Sequence, residues 1–226
     1  MSTITVIGIG PGDPDLLTLK ARDAIQNADV VAAFASVLVP VRRWIRGEAR
    51  PMRYADQEAV LDEVANLSAQ GKSCVVCVWG DVAFSARELI DRVRQRVDRL
   101  ELIPGVSCAQ VACARTGLDL ERSLFVTLHA RDGVQDSMRE LVSAVRSGAR
   151  NVFVLPRPWD LMPAAIAREL VQEGVDEATE AVVLEQLTLP EERITRFTLS
   201  SLAPSTLDFS DLTIMVFPVP PAKSHS

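Results

Sequence analysis

Residues 4–19 read Ile-Thr-Val-Ile-Gly-Ile-Gly-Pro-Gly-Asp-Pro-Asp-Leu-Leu-Thr-Leu. A short apolar run (Ile4, Val6, Ile7, Ile9) enters a loop carrying Gly8, Gly10, Pro11, Gly12, Asp13 and Pro14. An apolar-periodic segment restarts at Leu16. The order is strand, tight loop, helix, with the loop at the strand's carboxyl end, where open α/β sheets gather ligands. Glycines allow close backbone approach, and prolines set the loop's shape in advance.

The loop imitates a dinucleotide fingerprint without completing it. Gly8 and Gly10 occupy the first two glycine positions, but Asp13 stands where the third glycine belongs. A carboxylate there opposes a pyrophosphate at the helix start. No Gly-Lys-Ser/Thr follows, so the loop is not a P-loop. Read alone, it is either a ligand loop or a plain strand-to-helix turn capped by Asp13 or Asp15.

Outward from this stretch the same unit repeats. A helix is predicted over Leu16–Asn27, then a strand over Asp29–Phe34 whose continuous apolar run marks burial on both faces. Helices follow over Val37–Arg46 and Gln57–Ala69, the second ended by Gly71. The buried strand Ser73–Trp79 runs into Gly80-Asp81-Val82-Ala83-Phe84-Ser85, and helix Ala86–Val97 comes next. Strand Leu100–Ile103 ends in Pro104-Gly105-Val106-Ser107, ahead of helix Val106–Arg115. Strands alternating with helices over short connections indicate a parallel, doubly wound α/β domain.

Gly117–Arg122 is the candidate linker, giving domains 1–118 and 119–226. The second half reads as strand Leu124–Leu128, loop His129–Gly133, helix Asp136–Ser147 and strand Asn151–Leu155. The rigid loop Pro156-Arg-Pro-Trp159 precedes helix Leu161–Glu173, with Asp160 as its expected cap and Gly174 as its stop. Strand Ala181–Leu184 and an antiparallel pair around Ile194–Phe197 and Leu212–Phe217 complete it. The Pro-rich tail from Pro218 is expected to fray.

Composition narrows the classes. Of 226 residues, 48% are hydrophobic and 24% charged, the profile of a globular enzyme. A net charge of −6 and one tyrosine speak against a nucleic-acid partner. The longest apolar run, Val30–Val41, is too short for a bilayer, and the start is unlike a signal peptide, so the expected location is the cytoplasm. Cys74 and Cys77 form a Cys-x-x-Cys on a strand, where they point to opposite faces and suit neither a metal nor a disulfide. With Cys108 and Cys113 they read as small buried residues, and no metal site is expected, since the only histidines are His129 and His225.

Three glycine loops therefore follow three strands of the first half and share one sheet edge. They offer backbone groups and Asp81, and little acid–base machinery. Such a site suits an activated cosubstrate that the protein aligns.

Together, Gly10-Pro11-Gly12-Asp13 with Leu17-Thr18, Gly80-Asp81, Pro104–Ser107 and the segment 124–131 make the chain resemble the tetrapyrrole (corrin/porphyrin) methylases. The resemblance covers nearly the whole chain. It implies two α/β domains of that family's type with a cofactor cleft between them. Ser123–Arg131, Pro163–Arg168 and Glu185–Arg193 resemble the members that methylate carbon 5 of a precorrin or cobalt-precorrin in cobalamin biosynthesis. Methylation at carbon 20, 11 or 17 and a non-catalytic cofactor-binding role are the alternatives. Three positions depart from the pattern. Val82 replaces a proline, Ala32-Ala33-Phe34-Ala35 stands where glycines are usual, and Ala130 replaces the glycine between His129 and Arg131.

The resemblance implies S-adenosyl-methionine as methyl donor and S-adenosyl-homocysteine as product. It places cofactor contacts at Pro11, Gly80, Asp81, Val82, Ser85, Ser107, Cys108, Leu155, Pro156, Leu187 and Thr213. The substrate would be a tetrapyrrole with several carboxylates. Arg131 is a candidate carboxylate clamp, with Arg157 and Arg87 as further candidates. His129, read as interior, is either a hydrogen-bonded structural residue or a catalytic group that positions substrate or handles a proton. Family members are commonly homodimers. With no carbon-15 methylating, decarboxylating domain in the chain, a separate enzyme is the expected pathway partner.

Overall fold

A computed structural model describes residues 1–84, 86–129 and 133–219. The chain divides into two compact units, Met1–Cys108 and Ala109–Ser226.

The first unit is built on five parallel strands: β1 (Thr3–Gly8), β2 (Val30–Phe34), β3 (Glu48–Met52), β4 (Cys74–Val78) and β5 (Arg99–Ile103). Their order in the sheet is β3-β2-β4-β1-β5, so β4, β1 and β5 are side by side. Helices α1 (Leu19–Asn27), α2 (Ala35–Val41), α3 (Gln57–Ala69) and α4 (Arg87–Arg94) connect them. Apolar side chains alternate between the two faces of the sheet. Ile4, Val6, Cys74, Val76 and Val78 join the core on one side, while Ile7, Ile9, Val75 and Cys77 join that on the other. The doubly wound expectation holds for this unit, and its central strands are buried on both faces.

The differences have local causes. The helix expected from Leu16 starts at Leu19, because Thr18 accepts from the Ala21 amide and caps it. Asp13 instead caps the short 3-10 turn Pro14–Leu16. Strand β3 carries no apolar alternation and was not expected. It lies at the sheet edge, where charged residues and Pro51 are tolerated.

A mixed sheet carries the second unit: β6 (Ser123–Thr127), β7 (Asn151–Leu155), β8 (Glu180–Glu185), β9 (Arg193–Thr198) and β10 (Thr213–Phe217), in the order β6-β7-β10-β8-β9. Only β6 and β7 are parallel; the other pairings are antiparallel. The strands expected to pair with each other, β9 and β10, both pair with β8 instead. Helix α5 (Cys108–Thr116) begins at the division between the units, and α6 (Val134–Ser147), α7 (Pro163–Gln172) and α8 (Leu199–Leu202) belong to the second. Asp160 does not cap α7. Met162 takes that position with Pro163 at the first turn, and Asp160 binds Arg157. Leu128, Leu141, Ile166, Leu170, Leu199 and Met215 are among the fully buried core residues. From Pro220 the tail lies outside the described residues, and the Val219 amide still donates to Asn151 Oδ1 at 2.9 Å.

The thiols follow their surroundings. Cys74, Cys77 and Cys113 are buried, whereas Cys108 is half-buried, which corrects the expectation for that residue. Burial pushes the Cys77 thiol up to about 12 and, with the nearby Asp29 charge, Cys74 up to about 11. Thiolate is the reactive form. In native protein at pH 8, Cys77 should stay unmodified by a thiol reagent over the time in which all four cysteines react in denaturant. Mass mapping of labelled peptides checks this, and rapid native labelling of Cys77 would contradict the buried placement.

Candidate functional site

The carboxyl ends of β4, β1 and β5 carry the three glycine loops, and the loops are bound to one another through backbone. Gly10 and Gly80 form an antiparallel bridge, Gly10 N donating to Gly80 O at 3.0 Å and Gly80 N to Gly10 O at 2.8 Å. Ile9 N donates to Val78 O at 3.0 Å. A Cβ on Gly105 would lie 2.4 Å from Gly80 O and 2.5 Å from Gly8 O, and one on Gly8 would lie 2.6 Å from Gly80 O. These glycines are required because three main chains meet there. Their reading as room for a ligand is corrected at Gly8 and Gly105.

Asp81 fastens the arrangement. One carboxylate oxygen accepts from Gly105 N at 2.8 Å, the other from Ala83 N at 2.8 Å. Hydrogen bonds to a charged acceptor are worth about 1.5–3 kcal/mol each. The side chain expected as a site charge is thus spent on joining the second loop to the third, leaving its main chain for a ligand. Pro11, Gly12, Val82 and Ser107 are buried, and Cys108 is half-buried at the start of α5. Ser85 lies outside the described residues.

The expected contacts of the second unit lie on two segments. Leu155 ends β7 and is followed by buried Pro156. Leu187 is buried between Gln186 and Thr188, whose φ values of 49° and 69° are left-handed although neither residue is glycine. Such backbone persists only where its surroundings force it, and it clusters at functional sites. Here Gln186 N donates to Leu212 O at 2.8 Å, and Thr188 N to the Glu192 carboxylate at 2.6 Å. Arg115 holds the same carboxylate through Nε at 2.7 Å. No sequence signal distinguishes Gln186 and Thr188, since the conformation is imposed by distant partners. Buried Thr213 donates its hydroxyl to Ser210 O at 2.5 Å. A cavity of about 450 Å³ adjoins this segment. On its wall Glu185, 2% exposed, accepts from Arg193 at 2.6 and 2.8 Å and from Ser210 N at 3.0 Å.

His129 is exposed, which overturns its interior reading. It follows the end of β6, with its ring centre 5.9 Å from that of Trp159 and the two rings edge to face. Arg131 lies outside the described residues. Arg157 sends Nε and Nη2 to Asp160 at 2.6 and 2.7 Å, and Arg87 is exposed beside Asp91 at 3.7 Å.

In the first unit, Ser107 is buried just ahead of α5, and the N-terminal end of a helix favours a carboxylate. In the second, Leu155, Pro156 and Leu187 are apolar surfaces with Thr213 beside them.

The model of the family described as Tetrapyrrole (Corrin/Porphyrin) Methylases matches residues 3–203. A Methanocaldococcus jannaschii protein named "Probable cobalt-precorrin-7 C(5)-methyltransferase" is 27% identical over 95% of this chain and 97% of its own length. A siroheme synthase of Methylococcus capsulatus is 28% identical over 91% of this chain, which spans 46% of that longer relative. Among solved structures, a Thermus thermophilus uroporphyrin-III C-methyl transferase complexed with S-adenosyl homocysteine shares the fold. Its TM-score is 0.75 at 23% identity, covering 96% of this chain and 92% of that one.

Gly105→Ala should destabilise the first unit by about 2 kcal/mol or more, because its new methyl meets backbone that cannot move aside. Urea unfolding measures this, and an unchanged midpoint would refute the three-way contact. Hydrogen bonds from Arg115, joined by the Thr188 amide, hold the Glu192 carboxyl below its usual range. A lowered native value means the added stability is complete above the ordinary glutamate value of about 4.3 and fades as pH falls below it. Amide exchange at Thr188 should therefore accelerate on acidification beyond the intrinsic trend, and Glu192→Gln should remove that pH response.

Proposed function

We propose that this chain, which belongs to the tetrapyrrole (corrin/porphyrin) methylase family, is an S-adenosyl-methionine-dependent methyltransferase acting on a ring carbon of a precorrin or cobalt-precorrin, carbon 5, in cobalamin biosynthesis. The observation that carries this reading is the nearly end-to-end match to the relative named as a cobalt-precorrin-7 C(5)-methyltransferase. The cross-fastened loops on β4, β1 and β5 support it as a rigid receptor for a cosubstrate.

S-adenosyl-methionine, when bound, supplies a methyl group already activated on a sulfonium. The chain's task is then to align and to exclude water. Pro11, Gly80 and Val82, with Asp81 through its main chain, hold the donor from one set of loops, and Ser107 and Cys108 take its amino-acid end. Ser85 belongs to the same set. Leu155, Pro156, Leu187 and Thr213 enclose its ring portion. Arg131 clamps substrate carboxylates and His129 positions the macrocycle. The same reading takes the protein as a cytoplasmic homodimer that works with a separate carbon-15 methylating, decarboxylating enzyme.

A second reading has a specific support. The similarity to a siroheme synthase is of the same order, and the Thermus thermophilus neighbour is a uroporphyrin-III methylase. Under it, the acceptor would be uroporphyrinogen III.

Incubation with methyl-labelled S-adenosyl-methionine and each precursor in turn, followed by mass spectrometry, separates the two. The precorrin should gain one methyl in place of one hydrogen, and carbon NMR should locate it. Binding of S-adenosyl-homocysteine without transfer to any tetrapyrrole would sink the enzyme reading. Gly12→Val, at a residue with φ of 146°, should lower turnover by about a hundredfold, the scale of an ångström's misplacement.

A further inference from the structure

The loop that leaves β7 holds a tryptophan out in water and fixes it there. Trp159 is 60% exposed, one of the largest apolar side chains on the described surface. Its loop is closed by two backbone hydrogen bonds between Arg157 and Leu161, at 3.0 and 3.1 Å, and flanked by Pro156 and Pro158. The Arg157 side chain is only 12% exposed. Its guanidinium carbon lies 5.6 Å from the centre of the Trp159 ring, while its fork rests on Asp160. On the other loop, the edge-on imidazole of His129 lies 5.9 Å away. Strands β6 and β7 are adjacent and parallel, with Thr127 opposite Leu155, so both loops rise from the same carboxyl edge.

A rigid, exposed indole is an unusual feature unless something covers it, since large aromatic surface gains from burial. Two hydrogen bonds across the loop, two prolines and a half-buried arginine have already restricted it, so little ordering entropy is left to lose on contact. The carboxyl edge of parallel strands is where α/β proteins take ligands. The same loop begins at Leu155-Pro156, which the proposed function assigns to the donor.

We propose that Trp159, propped by Arg157 and flanked by His129, is a specificity-determining shelf on which the face of the tetrapyrrole macrocycle rests. This deepens the proposed function and rests on it. The flat indole matches an extended conjugated ring in shape and polarity, while the ring's carboxylates are left to other cations. Arg157 thereby acts on substrate through Trp159, as a positioning residue.

The test uses the full chain with two probes, uroporphyrin for the ring and S-adenosyl-homocysteine for the donor site. Trp159→Ala should weaken uroporphyrin binding, followed by its absorbance, by about tenfold, within the range known for aromatic stacking on a flat ring. Trp159→Phe should restore most of the loss. S-adenosyl-homocysteine affinity by calorimetry and the sedimentation behaviour should be unchanged in both variants, and turnover should show the loss in KM rather than kcat. Wild-type uroporphyrin affinity in Trp159→Ala overturns the shelf. So does a change in oligomeric state, which would make Trp159 an interface residue, or a parallel loss of S-adenosyl-homocysteine binding, which would make it structural. A wild-type chain that binds S-adenosyl-homocysteine but no tetrapyrrole also overturns the shelf while leaving the donor site standing. One that binds neither overturns the proposed function, and the shelf with it.

Discussion

The carboxylate of Asp81, shared between the amides of Gly105 and Ala83, is the contact on which the geometry of the first unit's site depends. It ties the loop after β4 directly to the loop after β5. The Gly10–Gly80 bridge ties the loop after β1 into the same assembly. Three strand ends thus become one stiff backbone surface. Stiffness is the property that alignment catalysis needs, because reacting atoms about 3–3.5 Å apart must be held there to well within an ångström.

The second unit solves a similar problem with different means. It has no glycine cluster at its strand ends. Its loop after β8 is shaped by Glu192, which holds the Thr188 amide and is itself held by Arg115. Glu185 does the same for the neighbouring segment through Arg193 and the Ser210 amide. Charged side chains, spent on backbone and on each other, set the loop conformation in both units. Charge is therefore a poor guide here to where a ligand charge is met.

Much of the fold was legible because burial leaves a mark on composition. Strands β1, β2 and β4 are continuous apolar runs between breakers, and they were read as buried parallel strands. Strand β3 was illegible, since Glu48, Arg50 and Pro51 suit an edge and give no alternation. The pairing of β9 with β8 across an intervening loop depends on tertiary packing that local pattern does not encode. At the site, glycine spacing located the right loops for a partly wrong reason: Gly8 and Gly105 admit each other's main chains. His129 was read as interior, but it stands exposed just past the end of β6. The left-handed Gln186 and Thr188 carry no sequence mark, because neither is a glycine and their amides are held by partners outside the segment, Leu212 and the Arg115-bound Glu192.

The strand order has a consequence for how the polypeptide must assemble. Strand β1 is central, yet its two neighbours lie far downstream: Ile4 pairs beside Cys74 on one side and Leu100 on the other. A ribosome emits β1 well before β4 and β5, with apolar groups on both faces and both edges bare. It stays unpaired until β4 and β5 emerge, and closing such long loops is slow. The nascent chain therefore carries a sticky segment for most of the synthesis of its first unit, and this segment is the one that later bears the Gly8–Gly12 loop.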